Sequence, residues 1–381
     1  MTYLSATKAL NWRRVLPFWS ALALIPLTVL TALLGGWMLL ALPLLTWHFF
    51  SLLDAVLGLE ENNLDPSLTD RSLELYTTVT MVWAPLQFGL LYWLIWYATG
   101  PGDAHLSIGE TIGLFFGMGV VSGTVGINFA HELMHQSKRT ERGMADALLA
   151  MVLYSHFRSE HLLVHHRYVG TPKDPVTARY NEGFHRFFPR VLRDCFSSSF
   201  QAEATMQERR GRRWYSIGNP FWLYLALQTY MIALATVLGG WVGLALFFWQ
   251  ALVAIWQLEL INYIEHYGLT RRHLGGGKYE HVQPHHSWNA THKASNWLLI
   301  NLQRHSDHHF KPARRFPLLQ NYDADTAPHL PRGYPIMALA AMVPPIWRRT
   351  MNPLVRDWRR RHYPDITDWS SYNSASHPLP R

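Results

Sequence analysis

The chain has 381 residues, a formal net charge of +8 and a single cysteine, Cys195. One thiol excludes an internal disulfide framework and any iron–sulfur or four-cysteine iron centre held within the chain. The basic residues flank apolar stretches and form no separate basic domain. That pattern excludes nucleic acid as the partner they serve and fits membrane topology and attraction to anionic lipid.

In chain order, no Lys or Arg occurs between Arg14 and Arg71, between Arg71 and Lys138, or between Arg213 and Arg271. The gaps hold apolar runs at 15–34, 37–53, 78–97, 108–130, 220–238 and 241–264. Each is near the ~20 residues a helix needs to cross a bilayer core. They predict an all-α integral membrane protein with six transmembrane helices. A soluble protein with buried core helices would place charge in such segments. Gly35-Gly36 and Gly239-Gly240 read as turns that close two helical hairpins. Gly117, Gly119 and Gly123 read as helix-packing glycines inside a span.

Lys8, Arg13 and Arg14, the block from Lys138 to Arg213 and the block from Arg271 onward hold nearly all the basic residues. The positive-inside rule places these on the cytoplasmic side, with both termini. The blocks 131–218 and 265–381 then form a cytoplasmic helical cap, and residues 1–381 read as a single membrane-embedded catalytic domain. The first apolar run is too long for a cleaved signal peptide and lacks its small-residue pattern. The run from Tyr334 to Trp347 is broken by Pro335, Pro344 and Pro345. It reads as an interfacial or buried segment, not a seventh span. Gly275-Gly276-Gly277 reads as a loop, and the sequon at Asn289 carries no meaning on a cytoplasmic face.

Nine histidines cluster after these spans: His131 and His135; His161, His165 and His166; His266; His305, His308 and His309. Imidazole is the commonest metal ligand. On a helix, residues i, i+3 and i+4 share a face. His161 and His165 are expected on one face, with His166 turned about 100° away to serve a second ion. His305, His308 and His309 follow the same logic. Nine rings suit a dinuclear site at the mouth of the bundle. Glu132, Glu160, Glu265 and Asp307 sit beside these ligands and are expected to orient imidazole N–H groups. His281, His285, His286 and His292 form a looser group, expected around the centre or structural.

Imidazole suits Zn, Cu, Fe and Ni, so spacing leaves the metal open. His131-Glu132-x-x-His135 matches the zinc-protease helix, but one catalytic zinc takes three protein ligands, which leaves the other clusters without a role. A membrane metal transporter would hold ligands near the bilayer midplane, whereas these lie at span ends.

The segments His131-Glu-Leu-Met-His135, Glu160-His-Leu-Leu-Val-His-His166, Asn262-Tyr-Ile-Glu-His-Tyr-Gly-Leu269 and Leu302-Gln-Arg-His-Ser-Asp-His-His309 resemble the histidine boxes of bacterial membrane alkane 1-monooxygenases. Pro284-His-His-Ser-Trp-Asn289 and Leu52-Leu-Asp-Ala55 add to the likeness, which covers nearly the whole chain. Gln136 and Phe310 depart from the residues many relatives carry there. The resemblance implies two non-haem Fe ions held by His131, His135, His161, His165, His166, His266, His305, His308 and His309. It implies O₂ as oxidant, a linear alkane as substrate and a 1-alkanol as product. It further implies electrons from a rubredoxin fed by an NAD(P)H-dependent rubredoxin reductase, and a place in the bacterial inner membrane. Related membrane di-iron hydroxylases and desaturases share the general histidine pattern. Trp47, Phe49 and Phe50 are candidates to line a substrate channel. Arg209, Arg210, Arg212 and Arg213, or Arg314 and Arg315, are candidates to dock an acidic donor.

Overall fold

The computed structural model describes residues 3–4 and 12–374; Lys8 lies outside them. Helices dominate. They run α1 (Trp12–Leu34), α2 (Gly36–Leu57), α3 (Glu74–Ala98), α4 (Ile108–Met134), α5 (Arg139–Met151), α6 (157–168), α7 (Phe184–Arg209), α8 (Phe221–His266), α9 (Lys293–Leu298), α10 (His305–Phe310), α11 (Tyr334–Ala341) and α12 (Pro344–His362). Two pairs of very short strands add little: β1 (Tyr3–Leu4) lies parallel to β2 (Asn63–Leu64), and β3 (His273–Gly275) turns back on β4 (Lys278–Tyr279) through Gly276-Gly277.

Among the described residues, five helical runs are long and apolar enough to cross a membrane: α1, α2, α3, α4 and α8. The 46 residues of α8 are twice a single span. Its chain reverses at Gly240, whose φ of 58° and ψ of −149° are non-helical. A Cβ on Gly243 would lie 2.8 Å from the carbonyl oxygen of Ala235. Eight residues of straight helix would separate the two by ~12 Å. The two limbs of α8 are therefore the fifth and sixth expected spans. Trp37 and Trp241, 88% and 82% exposed, stand beside the two glycine turns. Aromatic rings at that level form the interfacial belt of a membrane protein.

Close packing explains the span glycines. A Cβ on Gly119 would meet Val253 Cβ at 2.6 Å and Gln250 O at 2.7 Å, so α4 and the second limb of α8 touch backbone to side chain there. Buried hydrogen bonds tie α4 and α5 to the second limb of α8. Ser122 Oγ donates to Gln250 Oε1 (3.1 Å), and Gln250 Nε2 donates to the carbonyl of Met151 (2.7 Å). Such interhelical bonds replace the hydrophobic drive that lipid removes.

α5 to α7 and the segment after α8 form a cap at the end where α4 and α8 finish. Its core is aromatic: Tyr263 of α8 packs against Phe187 of α7 (5.4 Å) and Trp347 of α12 (5.3 Å). Each such pair adds ~0.5–1.5 kcal/mol beyond its buried area. The segment from Tyr334 is no span. α11 lies against α8 with Tyr334 and Met337 buried, while Ile336 and Leu339 stay half exposed.

Candidate metal centre

The nine histidines converge from four elements. α4 supplies His131, with His135 just past its end; α6 supplies His161, His165 and His166; α8 ends on His266; α10 supplies the last three. They form two groups: His131, His135, His161, His166 and His308, and His165, His266, His305 and His309. In each group the ligand atoms lie within 4.8 Å of one another.

The division overturns one expectation. His161 and His165 do not serve the same group; His161 pairs with His166, and His165 joins the other set. The cause is local. Residues 161–165 form a π-helical turn, in which the His166 N–H bonds to the His161 carbonyl, five residues back. A five-residue repeat puts i and i+5 on one face and turns i+4 aside. α10 is an ordinary α-helix, so His305 and His309 (i, i+4) share a group and His308 faces the other.

The ring nitrogens are too convergent for hydrogen bonding alone. His161 Nε2 lies 2.9 Å from Nε2 of His131, 2.9 Å from Nε2 of His166 and 3.5 Å from Nε2 of His308. His305 Nε2 lies 3.1 Å from Nε2 of His266, 3.0 Å from Nε2 of His309 and 3.3 Å from Glu265 Oε2. One imidazole nitrogen offers either a single N–H or a single lone pair, so it satisfies one neighbour, not three. A cation accounts for the rest: two nitrogens bound at ~2.1 Å to one ion lie about 3.0 Å apart at a right angle. The donor set, all imidazole, suits Fe, Zn, Cu or Ni.

Protonation points the same way. Burial pushes His161, His166, His305, His308 and His309 well below the usual histidine range, with neighbouring imidazoles adding to the effect. His135 is held down to about 3, again by burial first. Neutral imidazole is the form that binds metal. His165 shows the arrangement most clearly. Its Nδ1–H donates to Asp174 Oδ2 (2.9 Å), leaving Nε2 buried without a partner as the lone-pair atom. Asp174 is itself fixed by Thr177 Oγ1 (2.7 Å) and the Val176 N–H (3.0 Å).

An apolar cavity of about 110 Å³ reaches both groups, touching His131, His161, His305 and Glu265. A single water needs only ~10–15 Å³ on this measure, so the space is sized for something larger. Trp47 and Phe50 of α2 line it together with Ile127, Trp256 and Leu302. Trp47 Nε1–H donates to Gln257 Oε1 (3.1 Å). Gln257 precedes His266 by nine residues, ~13 Å of helix. The cavity wall is also where the helices leave α geometry: π turns at Leu44–Phe49, Ser122–Ile127 and His161–His165 all contribute lining residues. Single π turns recur at functional sites.

The comparisons with known proteins fit this geometry. A family model described as fatty acid desaturase matches residues 109–340, a stretch containing all nine histidines. The chain is 34% identical to alkane 1-monooxygenase 2 of Pseudomonas aeruginosa, over 83% of this chain and 84% of that one. It is 37% identical to the alkane 1-monooxygenase of Ectopseudomonas oleovorans, over 85% and 80%. It is 36% identical to that of Pseudomonas putida, over 90% and 84%. The chain belongs to the alkane 1-monooxygenase family. It is thus a membrane oxidoreductase of the histidine-box group, and a protease reading of His131-Glu132-x-x-His135 falls away.

For this alkane monooxygenase family member, several sequence expectations need correction. Asp307 orients no imidazole; its carboxylate takes Arg314 Nη1 (2.7 and 2.5 Å), Tyr322 O–H (2.6 Å) and the Gln320 N–H (2.9 Å), which anchors α10 to the following loop. His285 and His286 lie in a separate cluster. His285 stacks on His362 (4.2 Å), and His286 Nε2 meets Tyr363 O–H (2.8 Å). His281 is exposed, and His292 stands at the first position before α9 without a side-chain capping bond. Phe49 is 47% exposed and outside the cavity, unlike Trp47 and Phe50. Arg314 is committed to Asp307, and Arg315 is buried against Glu141 (3.1 Å), so neither presents a docking charge.

The other acids sit as follows. Glu132 Oε1 accepts from Gln136 Nε2 (3.1 Å). Glu160 is buried, and burial raises it well above the carboxylate range; neither oxygen has a hydrogen-bond partner. Glu265 is held by Tyr334 O–H (2.9 Å) and faces His305. Asn289, the sequon residue, is buried and pins α10: its Oδ1 accepts from the Ser306 N–H (2.9 Å) and its Nδ2 donates to Ser306 Oγ (2.6 Å).

Proposed function

We propose that the chain hydroxylates the terminal carbon of linear alkanes, using O₂ and electrons from a reduced rubredoxin, at two iron ions held by the five-histidine and four-histidine groups. One observation carries the reading: an apolar cavity ends against both groups at once. An unactivated methyl C–H bond offers no charge or carbonyl to acid, base or nucleophile. The metal pair supplies the oxidising chemistry, while the chain's own residues supply binding and orientation. An alkane partitions out of water at ~0.8 kcal/mol per CH₂. The walls around Trp256, Ile127 and Leu302 take it from the bilayer without a polar cost, hold one end at His131 and His305, and exclude bulk water. Tyr334 fixes the carboxylate of Glu265 at that end. Metal analysis showing two irons per chain, with 1-alkanol formed from a mixed alkane feed, supports this reading. One zinc per chain and no alcohol overturns it.

Trp47 lines the cavity, so Trp47→Ser is expected to lengthen the accepted alkane by several carbons while the shorter ones remain substrates. Gas chromatography of products reads the shift, and an unchanged chain-length profile sinks the idea. The exposed Arg209 at the end of α7 and Arg210, Arg212 and Arg213 just past it face an acidic donor. Turnover with rubredoxin is expected to fall as ionic strength rises; insensitivity to salt argues against docking by charge. The histidine cap then faces the cytoplasm of the inner membrane, in one catalytic domain with its spans.

A further inference from the structure

A second cavity has a different character. It is polar, about 350 Å³, and lies where α1 and α3 begin, beside α9. Arg13 and Arg14 of the first turn of α1, Lys293 and Asn296 of α9, Arg304 and Glu60 line it. Tyr76 and Trp297 add aromatic rings at the same level. Residues in the first turn of a helix entering the bilayer stand at the height of lipid headgroups.

The charges do not balance. Among the described lining residues, Arg14, Lys293 and Arg304 meet one carboxylate, Glu60, which reaches Lys293 at 3.9 Å. Arg304 is 4% exposed and touches no carboxylate. Its Nη groups donate to Asn63 Oδ1 (3.1 Å) and to the carbonyls of Leu319 (2.7 Å), Asn62 (3.1 Å) and Glu60 (3.3 Å). Its Nε–H is buried and has no partner. Asn296 Oδ1 is likewise buried and unpartnered. A buried donor on a guanidinium and a buried acceptor are each costly to leave unmet, so the pair describes the missing ligand: an anion that also carries a hydroxyl.

We propose that this cavity binds the phosphoglycerol headgroup of an anionic membrane phospholipid. The phosphate oxygens accept from Arg304 Nε–H and from the Arg14 and Lys293 side chains, and a glycerol hydroxyl donates to Asn296 Oδ1. Basic pockets between transmembrane helices hold anionic headgroups in this way. A choline headgroup lacks the hydroxyl and adds a positive charge. The bound lipid would bear on the metal centre, because Arg304 immediately precedes His305 and clamps the 60–62 connection to the start of α10.

The test uses the full chain in lipid nanodiscs and in neutral detergent. Native mass spectrometry reads retained phospholipid, and thermal unfolding reads stabilisation by phosphatidylglycerol against phosphatidylcholine. The wild type is expected to retain phosphatidylglycerol and to unfold at a higher temperature in it. Arg14→Gln with Lys293→Gln leaves the Arg304 clamp intact; at about 1 kcal/mol per basic residue near the surface, phosphatidylglycerol binding is expected to weaken roughly 25-fold. Lys293→Gln alone, expected at about fivefold, serves if the double variant does not fold. No preference for phosphatidylglycerol in the wild type overturns the proposal, as does a folded variant that keeps the full preference. Equal stabilisation by inorganic phosphate in detergent also overturns it, since that marks a free-anion site.

Discussion

His308→Ala is expected to remove one metal ion of two and to lower alkane turnover more than a hundredfold. Its Nε2 lies 3.5 Å from Nε2 of His161, in the five-histidine group. Loss of outer partners alone costs ~10–100-fold in metal affinity or activity, and a direct ligand costs more. The effect should be confined to one group. His305 and His309, on the same short helix, belong to the four-histidine group, and Asn289 and Asp307 anchor that helix from outside both. Metal content should therefore fall from two ions toward one while helicity and membrane insertion persist. A variant with both ions and normal turnover would refute a ligand role for His308.

Asp174→Asn is expected to weaken metal binding in the four-histidine group by about 10–100-fold. Asp174 Oδ2 accepts from His165 Nδ1 at 2.9 Å and so directs the lone pair of Nε2 inward. A carboxylate does this for only one tautomer and makes the ring a stronger donor. The amide keeps an oxygen acceptor, yet loses the negative charge that strengthens the bond. Competition with a chelator, followed by metal analysis, separates this group from the five-histidine group, whose ligands do not touch Asp174. Chelator resistance within twofold of wild type would sink the assignment.

Eight of the nine histidines were legible because three of the four boxes are local, each with two or three imidazoles within six residues; His266 stands alone at the end of an apolar run. Asp174 was not, although Asp174-Pro-Val-Thr177 is a turn whose carboxylate bonds its own backbone. Nothing local says that this turn lies against His165. His285 and His286 misled for the opposite reason. They were expected around the centre or as structural residues, and their partners His362 and Tyr363 lie some 77 residues on, at the end of α12, in a cluster of their own. Phe49 was grouped with Trp47 by proximity in sequence, yet two residues of helix turn a side chain by about 200°, so Trp47 faces the cavity and Phe49 is exposed.

The amino-acid sequence by itself determined the apolar helical runs, their glycine turns, and which clustered histidines could hold metal. Those depend on composition over one helix length and on backbone freedom at single residues, both of which act locally. The tertiary structure decided how nine imidazoles divide into five and four, which acid orients His165, and that one apolar cavity meets both groups. These depend on a π turn that shifts the helix face by one residue, and on contacts between elements far apart in the chain. The same packing left a buried, unpartnered Arg304 Nε–H beside the membrane surface, which no reading of neighbours in sequence could reveal.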